Sequence, residues 1–431
     1  VLTRLALIST VIAALAADAF AADRKVPSAA YPTIAAAVAA AQPGDRILVG
    51  PGVYQEHVVT ATANLQFLGR QAIWDATLPN GTHGDCLTVN AAGVLVQGFS
   101  FRGGNNGSTQ VVVVGDGATV RKCYSRGPAA FVFVTGARAL VDGCRLFANM
   151  NVAIDVVGDD GRVQSCTVQQ CDATVFRFVG ARATVTRCAF LNNDDGDIIN
   201  ITGFGARVTS NRFVNCDDDT IDVTGDAAVV EGNKMTGSGD LRVTGDSLTI
   251  RRNTLSFVFG GAQGIFAAST TPNGGGTIED NVVSDVNGRG LDVSASHVTI
   301  RRIKVSRSGA ENVEGCVRVA GSFNALTQVV ATTSGAHGFD VTGSDNILVE
   351  CVAVDAGRDG FHVVGARTRL ERCRATACTG EGLDNGGLDT TVMACTFRGN
   401  RLDVANDGTF LNFAATNVFK TGGIIQLPQI D

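Results

Sequence analysis

The chain has 431 residues, 45% of them apolar and 18% charged, with 35 Lys and Arg against 41 Asp and Glu for a net charge of −6. An acidic balance with no basic patch and no aromatic stacking platform excludes a nucleic-acid partner. The longest apolar stretch, Leu5 to Ala17, is shorter than a usual membrane span, so a membrane-spanning chain is excluded as well.

In chain order, residues 1–21 read as a signal peptide: Arg4, the apolar stretch, and Ala19-Phe20-Ala21 as a small-x-small cleavage site. Residues 22–431 are then expected as one exported domain, secreted, periplasmic or held at the cell surface. Thr33 is placed to N-cap a short helix at about 33–42, with Ile34 and Val38 on one face and Pro43-Gly44 to stop it. Strand-like coils are expected from about 46 to 410, and a C-terminal cap or tail from 411 to 431. The helix would plug the open end of the first coil.

The region after the helix is periodic. A short apolar strand ends at a glycine, and the glycines at 115, 136, 158, 180, 203, 225 and 245 are 21, 22, 22, 23, 22 and 20 residues apart; 321, 343, 365 and 387 resume the 22-residue step. Two and four residues before these glycines stand Val134 and Val132, Phe178 and Phe176, Val223 and Ile221, Val363 and Phe361. A second ladder runs through Val120, Val141, Val163, Val185 and Val208, and a third through Leu146, Val168, Phe190 and Phe213. Three β-like stretches per repeat of about 22 residues predict a stacked solenoid of about thirteen coils.

The repeat, together with Tyr31-Pro32-Thr33-Ile34, Gln42-Pro43-Gly44-Asp45 and the segment from Ile47 to Glu56, resembles the pectin-lyase-like superfamily. That resemblance implies an all-β fold, a right-handed parallel β-helix with a short N-terminal capping helix. It implies chemistry only broadly, because the superfamily hosts lyases, hydrolases, esterases, epimerases and proteins without known activity. No Walker loop, HExxH or GxSxG occurs.

Twelve cysteines in an exported chain would ordinarily suggest disulfides. Here Cys123, Cys144, Cys166 and Cys188, then Cys351, Cys373 and Cys395, hold one repeat position, which Asn211, Asn233, Asn253 and Asn281 occupy between them. A column with parallel side-chain vectors suits stacked buried thiols better than bridges or a tetrahedral zinc site.

Three residues before each glycine the side chain must face outward, and that column reads Phe133, Asp155, Arg177, Asn200, Asp222 and Arg242, then, after a longer coil, Asp292, Arg318, Asp340, His362 and Asp384. Two stretches exceed what a solvated charge ladder requires. His337, Asp359 and Glu381 fall in one column beside Asp340, His362 and Asp384, so a carboxylate-paired imidazole could act as acid or base; these six are the candidate catalytic residues. Nearer the middle of the rod, Asp172, Asp194, Asp195, Asp197, Asp217, Asp218, Asp219 and Asp222 crowd together, and carboxylates so dense call for a neutralising cation, calcium by ligand type. That arrangement, flanked by Arg177 and Arg242, resembles the calcium-assisted pectate lyases, which implies acids that hold the ion against a substrate carboxylate and a nearby Arg or Lys that removes the proton α to it; Arg177, Arg242 and Arg318 of the outward column are the candidate substrate residues. Loops at 260–276 and 308–315 are candidate walls of the groove. The leading expectation is a protein that binds or degrades a polysaccharide, with uronate-containing glycans cleaved by elimination or hydrolysis. The competing one is a non-catalytic surface or envelope scaffold.

Overall fold

The computed structural model describes residues 21–426 apart from 106, 195, 217–218, 259–262, 310–314, 409–411, 414–416 and 421–423. Residues 1–20 of the expected signal peptide therefore lie outside the described residues. Each coil contains three short strands. In one of them these are Ala130–Thr135, Leu140–Asp142 and Arg145–Phe147, and each pairs in parallel with the equivalent strand of the next coil, Ile154–Val157, Arg162–Gln164 and Thr167–Gln169. Repetition builds three sheets along the rod, of 17, 18 and 17 strands for the first, second and third strand of the coil. The all-β right-handed solenoid thus has about 17 turns rather than thirteen, and is about 75 Å long at the inter-strand spacing. The extra turns lie at the ends: Val58–Thr60 and Leu87–Val89 join the first sheet without the glycine punctuation that made the repeat countable.

The inward ladders fill the lumen as expected. Phe176, Phe178, Phe190, Phe213, Phe339 and Phe361 are all at most 1% exposed, and Phe190 and Phe213 stack at 4.7 Å between ring centroids. Parallel sheets closed on a single apolar stripe carry no separate core, so stability accrues coil by coil. At the N-terminal end the helix α1 (Ile34–Ala39) lays Ile34, Ala37 and Val38 over the first coil. Thr33 Oγ1 accepts from Ala36 N at 3.0 Å, and Glu56 reaches across to accept from Ile34 N and Ala35 N at 3.0 and 2.9 Å. The orphan donors of the first helical turn are thereby satisfied.

A coil must turn three corners, and a left-handed residue stands at each. In successive coils these are Arg138, Gly143 and Ala148, then Asp160, Ser165 and Gln170, then Arg182, Arg187 and Asn192, with φ between 50° and 61°. Few of these types favour that conformation on their own, so the stacking of coils imposes it.

All twelve cysteines are buried free thiols. The column shared by Cys and Asn explains itself in hydrogen bonds. Asn233 Nδ2 donates to Val208 O at 2.9 Å in the coil before, and its Oδ1 accepts from Asn211 N and Asn211 Nδ2 at 3.0 Å each. In coils with cysteine, the Cys144, Cys351 and Cys373 Sγ atoms reach the same carbonyl position, Val120, Leu326 and Leu348, at 3.7, 3.8 and 3.3 Å. Cysteine is thus a small apolar filler with a weak donor where asparagine makes the full ladder. When the chain is unfolded without reductant, all twelve thiols are expected to take up an alkylating agent, counted by intact mass. A bridge between Cys166 and Cys188 or between Cys351 and Cys373 would contradict this column.

Candidate functional site on the outer face of the first sheet

Outward side chains of the first sheet form one unbroken row, because every strand pairs with the next without slip. Register runs Phe133, Asp155, Arg177, Asn200, Asp222, Arg242, Phe266, Asp292, Arg318, Asp340, His362, Asp384. This is the column expected from the repeat with one addition, Phe266. Its strand, Ile265–Ala268, ends without an anchor glycine, so spacing could not place it.

The three arginines of the row are held by carboxylates. Arg177 forks onto Asp155, with Nε 3.0 Å from Oδ1, and Asp155 is 7% exposed. Arg318 Nη1 lies 3.3 Å from both oxygens of Asp292, which Arg289 also grips at 2.6 Å, and Asp292 is fully buried although it points outward. Arg242 contacts Asp219 at 3.2 Å and Asp240 at 3.4 Å and lies over the Phe266 ring, 5.0 Å from its centroid. Each expected substrate cation thus already has an acid partner within the protein.

Towards the C-terminal end the six expected residues come together. His337 and His362 stack with centroids 4.5 Å apart and planes 18° apart. His362 Nδ1 is 3.0 Å from Asp340 Oδ1, and its Nε2 is 3.7 Å from Asp384 Oδ2, so one imidazole lies between two carboxylates on adjacent strands. The Asp340 hydrogen bond raises the His362 pKa above its ordinary value, against the opposing effect of burial. His337 Nδ1 is 3.0 Å from Asp359 Oδ2 but out of line for a hydrogen bond. Asp359 Oδ1 accepts from Glu381 N at 2.7 Å, and Arg401 closes on the other side of Glu381. The two carboxyls drive each other apart. Hydrogen bonding to Asp359 and then burial push Glu381 up to about 7, while burial of Asp359 is outweighed by His337 and Glu381, which hold it well below the usual carboxylate range. Asp384 is raised by burial and by the Asp359 charge, and Asp340 is held low by His362 despite burial.

The mid-rod acids divide. Asp172 and Asp194 are paired through the backbone, in an isolated parallel β-bridge at the corner between the third and first strands. Asp197 accepts from Asn200 Nδ2 at 2.6 Å, and with Asp219 it borders Asp222 in the row. Burial and those two neighbouring charges push Asp222 up to about 6. Asp195, Asp217 and Asp218 lie outside the described residues, as do 259–262 and 310–314 of the two candidate wall loops. Among the described residues no three His, Cys, Asp or Glu side chains converge as a metal site. Sequence reading missed Asp240, which is 2% exposed. It stands at the corner occupied by Asp219 one coil earlier, but the glycine step from 225 to 245 is 20 residues, and the short coil shifts it by one.

Fold and row together define a β-solenoid with a polar, partly buried outer face. The chain belongs to the family described as right-handed beta helix region, matched over residues 76–213, 109–254 and 240–402. No curated protein matches it. Among solved structures it is similar to tailspike protein 3 of bacteriophage CBA120, at 12% identity and a TM-score of 0.35. That match covers 90% of this chain and 57% of the tailspike, so the chain spans little more than half the tailspike's length. It is also similar to alginate lyase AlyF-OU02, solved as a complex with G6, at 12% identity and a TM-score of 0.34 over 90% and 88% of the two chains. A third is a mutant of the periplasmic alginate epimerase AlgG, at 11% identity and a TM-score of 0.29 over 86% and 84%. No helix among the described residues is long and apolar enough to cross a membrane.

Proposed function

We propose that the protein is an exported polysaccharide-active protein that hydrolyses a glycan strand laid along the outer face of the first sheet. One observation carries the reading: Glu381 and Asp359, adjacent carboxyls with opposed pKa shifts, sit beside the stacked imidazoles on that face. A pair pushed apart in this way leaves a neutral acid, Glu381, beside an ionised neighbour. Glu381, neutral up to about pH 7, donates its proton to the departing glycosidic oxygen as the bond to the anomeric carbon breaks. Asp384, three residues along the same strand, takes the proton of the water whose oxygen adds to that carbon. His362 is the positioning group between Asp340 and Asp384.

Elimination on a uronate is less well supported, since it needs a cation to neutralise the substrate carboxylate, and Arg177, Arg242 and Arg318 are committed to Asp155, Asp219, Asp240 and Asp292. The uronate reading therefore depends on an added cation, which a calcium and chelator comparison tests. The experiment is incubation of the chain with neutral and uronate-containing polysaccharides while reducing ends and unsaturated products are followed. Hydrolysis gives the first without the second. The rate is expected to fall as pH rises through about 7, where Glu381 loses its proton; a rate that rises through that range would assign the group the opposite role.

A further inference from the structure

The corner that carries Asp359 and Glu381 is used a second time, several coils nearer the N-terminus, at a separation of about 30 Å. There Asp219 and Asp240 lie on consecutive coils within reach of a shared carboxyl–carboxyl hydrogen bond, and both contact the guanidinium of Arg242. Asp240 is almost wholly buried, yet its Oδ1 has no hydrogen-bond partner among the described residues. Asp222, beside Arg242 in the row, likewise has an unpartnered buried Oδ1. A buried ionised carboxylate with one oxygen unsatisfied and one cation shared between two acids is an expensive arrangement; a proton on the pair removes one charge and supplies the missing donor.

We propose that Asp219 and Asp240 hold one proton between them and form, with Asp222, a second carboxylic-acid centre for glycosidic hydrolysis on the same row as the histidine cluster. This rests on the glycan reading above. In the step it performs, the pair gives its proton by way of Asp219, its exposed member, to the leaving oxygen as the C–O bond breaks, and Asp222 takes the proton of the water that bonds to the anomeric carbon. Arg242, packed on Phe266, holds the Asp219 carboxylate in place at 3.2 Å. Two such centres on one face meet the same extended strand at two separated linkages.

Burial and Asp219 push Asp240 up to about 8, with Arg242 opposing. Because this folded value lies above the unfolded one, the neutral acid favours folding fully below about pH 4, and the advantage is lost as pH rises to about 8. Asp240→Asn, neutral at every pH, is therefore expected to gain melting temperature over the wild type progressively from pH 5 to pH 8. Infrared spectra of Glu381→Gln at pH 7, where the other carboxyl protonated near neutrality is gone, are expected to show a protonated-carboxyl band that adding Asp240→Asn removes. No such band, or a constant melting difference across that pH range, overturns the shared proton. A calcium-dependent rise in melting at pH 8 that Asp240→Asn abolishes would also overturn it, replacing the proton with a cation. The glycan assay separates the two claims. Full wild-type cleavage by Asp240→Asn, with Glu381→Gln inactive, overturns the second centre and leaves the proposed function standing. Cleavage of no glycan by the wild type overturns the proposed function whatever the spectra show, and the hydrolytic role of this pair with it.

Discussion

Gly203→Ala is expected to destabilise the protein by about 3 kcal/mol, a large fraction of the stability of a folded domain. Gly203 has a φ of 154°, and a Cβ there would stand 2.0 Å from Gly180 O and 2.6 Å from Gly180 C. Both contacts are to backbone, and that backbone is fixed by the pairing of Phe176–Val179 with Ile199–Thr202. Relief therefore requires the coils to part. Gly44 is the control, because its φ is 90° but nothing lies within 4 Å of the position a methyl group would take; Gly44→Ala carries backbone strain alone and is expected to cost about 1 kcal/mol. Urea midpoints of the two variants decide. Equal losses would mean that the glycine column reflects backbone conformation only and not the close approach of coils.

Glu381→Gln, read in the Asp240→Asn background where the proposed second centre is silent, is expected to lower the hydrolytic rate by about 100- to 10,000-fold, the usual contribution of a positioned general acid, while leaving the melting temperature nearly that of Asp240→Asn. The glutamine keeps the shape beside Asp359 and lacks the transferable proton. His337→Ala combined with His362→Ala is expected to reduce the rate as well, through loss of the stack and of the Asp340–His362–Asp384 bridge. Neither imidazole belongs to the lumen, so the double variant should still fold. Loss of folding together with activity would make the cluster part of the scaffold, and full activity in either variant would remove it from the chemistry.

The outward row was readable in the sequence because a parallel solenoid turns a fixed chain spacing into spatial adjacency: residues 340, 362 and 384 are 22 apart and pair directly. Where the step changes, that translation fails. Asp240 was hidden by a 20-residue step, and Phe266 by a coil that lacks its glycine. The left-handed corners were not readable at Arg138, Ala148 or Arg182, since those side chains carry no preference for positive φ and take it only under neighbouring coils. Nor did the row reveal which charges neutralise each other. Arg242 leans to Asp219 and Asp240 at the corner rather than along the row to Asp222, a choice made by side-chain reach and burial. The terminal coils escaped counting for a simpler reason, because stacking tolerates strands such as Val58–Thr60 that lack the repeat's punctuation.

The claim that the outer face of the first sheet is a hydrolytic glycan site is tested most directly by product analysis of one reaction set, wild type, Glu381→Gln and its combination with Asp240→Asn against neutral and uronate-containing polysaccharides, with calcium and with chelator. The account predicts new reducing ends without unsaturated products from the wild type on at least one glycan, fewer from Glu381→Gln, and almost none from Glu381→Gln combined with Asp240→Asn. Unsaturated products that require calcium would contradict it in favour of elimination, and no product from any glycan would contradict it in favour of a non-catalytic rod.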